Sequence, residues 1–387
     1  MMSYLNRPLL SFFVVLIVLA GCRNGNDYWE FDGLPYINSD AVVSHTVFDA
    51  DTLLIDASSS SLSGRWMLEG KSLYYFDYNV VGLREYDSDG NFVARHIRSG
   101  RGPNEWVAPF VAADFLQDCF AGIDGNWFFT LYDSTYRKIN DPYRMLSDRP
   151  FSNVDWGRLL VHPDPEEYNM YEFNFSSRGM RHFGDTVIVP IVTDHIRYNG
   201  YMKGPSSRKF WKHSYTFMTV DVLNAKTGRI FGHYPPVYHE RNIPGFSKYS
   251  FDVAGDSLMI VSFAADSSML VYGKDLQPAF RFGRSAEGFR YEFPQTSSPD
   301  EYSERRREFE SSYSNYKDVK VCGDYVIRSC RIDGNRCALQ IYENWKLKEE
   351  IAMSEPASIL GMNGGRVYLS LPPDIDRDIF RIVRIKI

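Results

Sequence analysis

The chain has 387 residues, with 43 Lys and Arg against 49 Asp and Glu, a formal charge of −6, and 44% hydrophobic and 16% aromatic residues. That composition excludes a disordered or low-complexity chain, and an evenly spread acidic excess argues against a nucleic-acid partner. The length suffices for two or three ordinary domains or one large closed β architecture with a sizeable core.

At the N-terminus, Met1–Arg7 carries one positive charge, and Leu9–Ala20 is an apolar run broken only by Ser11. The run is too short to span a bilayer as a helix and sits where a secretory signal peptide lies. It ends in Leu19-Ala20-Gly21-Cys22, which resembles the lipobox of bacterial lipoproteins, whose cysteine is acylated and becomes the new N-terminus. The resemblance implies a signal peptide over 1–21, a lipid on Cys22 that anchors the chain stably through more than one acyl chain, and an outer-membrane address, periplasmic or surface-exposed. A lipidated tether over 22–40 and a folded body over 41–387 follow.

Along the body, six phrases join a turn, usually with Gly and Asp, to an apolar strand. They start near Gly70, Asp118, Gly184, Gly255, Gly323 and Gly364. A second hairpin-like stretch follows each, with alternation and Asp/Gly/Asn turns. The reading is all-β: a six-bladed β-propeller of four-stranded antiparallel sheets, with insertions in the middle units. The strand ending at Ile387 leaves the sixth sheet without an outer member. Val42–Phe48 or Thr52–Ile55 supplies it, so that an N-terminal strand closes the ring and removes its open edges. The competing fold, a pair of β-sandwiches, wants a linker that the chain lacks.

One insertion reads as a short helix near 298–316. Ser298-Pro299-Asp300-Glu301 is a capping box, and Tyr302, Phe309, Tyr313 and Tyr316 fall on one stripe. Glu304–Glu308 lies mostly off that stripe and reads as a solvated face. Another, Tyr198–Tyr215, mixes cations with Tyr201, Phe210 and Trp211, either to stack sugars or anionic groups or to fold over a neighbouring blade. Cys330 and Cys337 flank Asp333-Gly334. A two-residue turn there sets them opposite each other at a hydrogen-bonded pair, where a disulfide is strained, so buried thiols are expected. The spacing of Cys322, Cys330 and Cys337 does not suit zinc.

Gly100-Arg101-Gly102-Pro103-Asn104-Glu105-Trp106 resembles the Gly-x-Gly-Pro-x-Glu-aromatic phrase of six-bladed, TolB-like β-propeller lipoproteins of Bacteroidetes. With the lipobox and the six copies, the likeness spans nearly the whole mature chain. It implies the fold and an envelope location, and it assigns no activity.

Propeller geometry puts residues 98–106 on the face shared by the turns after each second strand. Arg98, Arg101, Asn104, Glu105 and Trp106 are candidate ligand-binding residues there, the alternative being that they pin a Gly-Pro turn. Asp77, Asp194, Asp266, Asp333 and Asp374 recur after second strands, either as a ring of oxygen ligands for a divalent cation or as ordinary turn acids that accept backbone N–H bonds. No cofactor is identified beyond that cation. The eight His residues lack a spacing such as H-E-x-x-H. Two functions stand: a lipid-anchored, monomeric binding or scaffold protein that holds an envelope protein or glycan on its propeller face, and a metal-assisted hydrolase or lyase working in the channel.

Overall fold

Each of the six turn-and-strand phrases becomes the second strand of its own antiparallel sheet: Ser72–Asp77, Cys119–Asp124, Thr186–Val192, Leu258–Phe263, Tyr325–Asp333 and Arg366–Asp374. The structure, a computed structural model, describes residues 30–40 and 49–387 except 81, 103–104, 107–109, 118, 146–154, 178, 194, 225 and 335. Among these residues the strands form six sheets in chain order, a six-bladed propeller. The signal segment, Cys22 and Val42–Phe48 lie outside the described residues.

The turn into the second strand is the local device that repeats. Gly70, Gly184, Gly255, Gly323 and Gly364 hold it with φ between +56° and +63°. A Cβ there costs roughly 1–2 kcal/mol, so glycine marks the turn in the sequence. Blade 2 makes the same turn with Gln117 at φ +52°.

Blades 1, 2, 4 and 5 run inner to outer in sequence order. In blade 3 the inner position is split: Glu172–Phe173 and Arg181–Phe183 pair with opposite ends of the second strand. Blade 6 takes its outer strand from the other end of the chain, with Ala50–Asp56 antiparallel to Ile379–Lys386. Of the two sequence candidates, the Thr52–Ile55 segment is therefore the closing one. Arg384 reinforces it through Asp51, with contacts of 2.8 and 2.6 Å.

The core lies between blades. Phe76 and Leu83 of blade 1 pack with Phe110 and Phe120 of blade 2, and Ile327, Leu339 and Ile341 of blade 5 pack with Ile359, Val367 and Leu369 of blade 6. A fully buried side chain of this kind is worth roughly 1.5–3 kcal/mol. Arg328, fully buried, ties blade 5 to blade 4: it donates to the carbonyls of Ser267 and Arg284 at 2.8 Å and stacks on Tyr316.

Residues 30–40, expected within the tether, lie against the propeller as a strap. Ile37 N–H donates to the Arg281 carbonyl and Arg281 N–H to the Pro35 carbonyl, both at 2.8 Å. The Ser39 hydroxyl donates to the Trp345 carbonyl at 2.7 Å, and Glu30 accepts from His233 N–H at 2.7 Å. The strap covers part of the outer edge of blade 4, an open row of backbone groups otherwise exposed to pairing.

Among the described residues four short α-helices stand in the insertions: α1 (Trp156–Val161), α2 (Pro205–His213), α3 (Pro236–Arg241) and α4 (Pro299–Ser312). The aromatics of α2 are core residues. Trp211 packs edge-on to Tyr234 at 4.9 Å and close to Tyr238, so this insertion folds over the body. In α4 the Ser298 hydroxyl accepts from Glu301 N–H at 3.1 Å, while Glu301 reaches back to Ser297 N–H at 2.7 Å. The helix stops before the expected stripe does, because Tyr316 already belongs to the inner strand Asn315–Cys322 of blade 5. Its Arg-rich run pairs within the helix, Arg305 with Glu301 and Glu308, and Arg306 with Glu310.

Cys330 and Cys337 are free and buried. A bulge between Arg331 and Asp333 shifts the register by one residue, so Cys330 faces Ala338 and Cys337 faces Arg331. The expected opposition of the two sulfurs does not arise.

Candidate functional site

In the Gly-Pro phrase of blade 1, Glu105 N–H donates to the Gly102 carbonyl at 3.0 Å, and Lys138 of blade 2 donates to the Glu105 carbonyl at 2.7 Å. The Glu105 carboxylate accepts from Gly102 N–H at 2.8 Å and fills the space that a Cβ on Gly100 would need. Trp106 is buried against Phe110, with ring centroids 3.8 Å apart. Glu105 and Trp106 thus have structural roles, whereas Arg98 and Arg101 are exposed. Asn104 lies outside the described residues.

The predicted ring of acids is likewise divided among separate turns. Asp77 is fully buried and accepts from the Ser60 and Ser61 hydroxyls and the Ser61, Asn79 and Val80 N–H groups. Asp266 accepts from Ser268 N–H and hydroxyl, Asp333 is paired with Arg336, and Asp374 accepts from Arg377 N–H at 3.3 Å. Asp194 lies outside the described residues. Blade 2 has an equivalent acid, Asp124, which accepts from Asn126 and Phe128 N–H; its Asp124-Gly125 turn was the signal for it. Among the described residues no three His, Cys, Asp or Glu side chains come together as a metal site. Backbone amides, hydroxyls and arginines engage the described carboxylates, each within its own turn.

The chemistry collects instead in the channel. Counting three residues back from each left-handed turn residue gives Met67, Asp114, Arg181, Asp252, Lys320 and Gly361. Blades 2 to 5 therefore present acid, base, acid, base at one level. Arg181 pairs with both Asp114 and Asp252, Lys320 stands 3.8 Å from Asp252, and Arg65 closes on Asp114 at 3.2 Å. Each acid lies between two cations. Burial opposes the charged forms of Asp114 and Asp252, but the surrounding cations outweigh it and hold both below the usual carboxylate range.

These acids also serve the backbone. An inner strand has one edge without a strand partner, and its N–H groups need acceptors. Asp252 accepts from Val321 N–H of the next blade at 2.9 Å, and Asp318 from Ile359 N–H of the next blade at 2.9 Å. Burial raises the pKa of Asp318 against the pull of Lys320, Arg65 and Arg181.

A cavity of about 480 Å³ runs along this channel. Arg65, Asp114, Arg181, Asp252, Asp318 and Lys320 line it, together with Lys317, Lys248 and the α4 residues Tyr302, Phe309 and Glu310. Helix α4 is held beside it by the ion pair of Lys248 with Glu310, which takes the Glu310 carboxyl down to about 2 despite burial. A bulge shapes the blade 5 wall: Tyr316 pairs with Cys330 and Asp318 with Ser329, leaving Lys317 as the extra residue. Bulges re-aim side chains in this way.

The charged strand residues Asp114, Arg181, Asp252 and Lys320 were not picked out by the sequence reading, because isolated charges in short alternating strands look like ordinary solvent-facing positions. Their fixed distance from the turn residue was the available signal.

Comparison with known structures supports the fold. A member of the DUF4221 family from Bacteroides vulgatus is similar, with a TM-score of 0.64, 12% identity, and coverage of 88% of this chain and 98% of that one. A putative exported protein from Bacteroides fragilis is similar with a TM-score of 0.50, 13% identity, and coverage of 91% and 99%. At such identities the likeness shows a shared fold. No family model and no curated protein matches the chain. Among the described residues no helix is long and apolar enough to cross a membrane.

Proposed function

We propose that the chain is an exported, TolB-like propeller lipoprotein of the bacterial envelope, anchored through Cys22, and that it acts as a binding protein whose ligand, a polar part of an envelope protein or glycan, enters the channel. The observation that supports this reading is the cavity itself, where charged groups fixed by mutual pairing stand beside Tyr302, which packs on the buried Phe309. The lining is mainly polar and charged, which suits a polar ligand rather than an apolar one. The exported B. fragilis neighbour and the lipobox support the address.

The test is a thermal-shift screen of residues 23–387 against envelope glycans and peptides, beside the Ser358→Trp variant, which places an indole in the cavity. A ligand at 100 times its Kd stabilises the fold by about 2.7 kcal/mol. The expected result is a ligand that shifts the wild type and leaves the variant unmoved. Equal shifts in both proteins would exclude the channel as the binding site. Cys22→Ser is expected to abolish membrane fractionation of the full chain.

A further inference from the structure

The cavity's charged groups are engaged with one another or with the backbone, with Lys317 as the exception. Among the described residues its ammonium makes no hydrogen bond or ion pair. The nearby acids are committed: Glu310 to Lys248 and Arg306, and Asp318 to the N–H groups of Val319 and Ile359. The remaining groups facing it do not offer a counter-charge. Lys248, on the segment leading into blade 4, and Arg331, on the second strand of blade 5, are cations, and the Cys337 thiol on the third strand is pushed upward and neutral. Lys320, on its own strand, is turned to Asp252.

We propose that the channel cavity binds a small organic carboxylate of about monosaccharide size, its carboxylate pairing with the Lys317 ammonium. The inference rests on the channel-binding reading and names the class of ligand. The half-buried Lys317 ammonium is attracted by Glu310, which is already paired with Lys248 and Arg306, and an entering carboxylate gives it a charge-assisted partner of its own. The volume admits a ring in addition to the carboxylate, and the half-buried Tyr302 offers a face on which a sugar ring stacks. The free protein already shows the strain: desolvation first, then the Lys248 charge, lowers the Lys317 pKa to about 8. A bound carboxylate reverses that shift, so binding at pH 8 draws in up to about half a proton per ligand.

The experiment is titration calorimetry of residues 23–387 with galacturonate as the probe and galactose as the neutral control, at pH 8 in two buffers of different ionisation enthalpy. The expected result is binding of galacturonate with proton uptake, no binding of galactose, at least a tenfold loss in Lys317→Met, and retention in Lys317→Arg. Thermal unfolding of Lys317→Met is expected to be unchanged or higher, because the variant removes an uncompensated charge. No galacturonate binding, or equal binding of galactose, overturns the inference. Galacturonate binding that survives Lys317→Met but is lost in Ser358→Trp overturns the role of Lys317 and leaves the channel reading intact. Binding that survives Ser358→Trp overturns both.

Discussion

Asp114, Asp252 and Asp318 sit on inner strands of the same channel and titrate in opposite senses. The folded pKa values of Asp114 and Asp252 lie below the ordinary value. Their contribution is therefore present above about pH 4, the unfolded value, and is lost as pH falls through the folded values. Asp318 has a raised pKa, so its cost appears as pH rises above about 4. Asp318→Asn keeps an acceptor for Ile359 N–H and removes the charge. Its stability relative to wild type is expected to improve between about pH 4 and 7, whereas Asp252→Asn is expected to be less stable than wild type at both ends of that range, its deficit shrinking only below about pH 4. Urea unfolding at both pH values checks the pair, and a common sign would show that the cations do not discriminate between the two carboxylates. At this scale the sequence was least legible. Asp77 and Asp266 were visible as repeated turn acids, but only the fold shows that Asp77 already holds its donors, and that Arg181 lies between two acids far away in the chain.

The turn before each second strand is the element that the sequence declared most openly, because backbone sterics demand glycine there. Gly255 has φ +56°, and nothing lies within 4 Å of the point where a Cβ would stand. Gly255→Ala is therefore expected to lose about 1–2 kcal/mol from conformation alone. Gln117→Gly, at the one such turn without glycine, is expected to gain about 1 kcal/mol or slightly less, since glycine also adds unfolded-chain entropy. Chemical denaturation of the two variants measures both signs. The capping box likewise predicted α4 well, since its start is a local signal. Its end was not local: the tyrosine stripe continues in period, but Tyr316 is taken by the pairing of the blade 5 inner strand with Cys330. Tertiary pairing likewise overrode the two-residue turn at Asp333-Gly334, through a bulge that the composition does not announce.

Across the whole molecule, six repeated phrases were enough to establish six blades, and a strand left over at the C-terminus was enough to require closure from the N-terminus. The joining strand Ala50–Asp56 pairs along its full length with Ile379–Lys386. A chain starting at residue 57 is accordingly expected to lose cooperative unfolding, while one starting at residue 30 keeps it, as judged by circular dichroism melting. What the phrases did not reveal was how the inner edges are satisfied, because that depends on charges brought into register from four blades. Arg181, shared by Asp114 and Asp252, ties blades 2, 3 and 4 together around the channel that frames the site. Measuring the denaturant stability of Arg181→Met beside the triple variant Asp114→Asn, Arg181→Met, Asp252→Asn tests that link most directly. Removing the shared cation alone is expected to cost about 3–5 kcal/mol, and neutralising its two partners as well to recover most of that loss. A single variant within about 0.5 kcal/mol of wild type, or a triple variant no better than the single, would show that Arg181 does not hold these blades together.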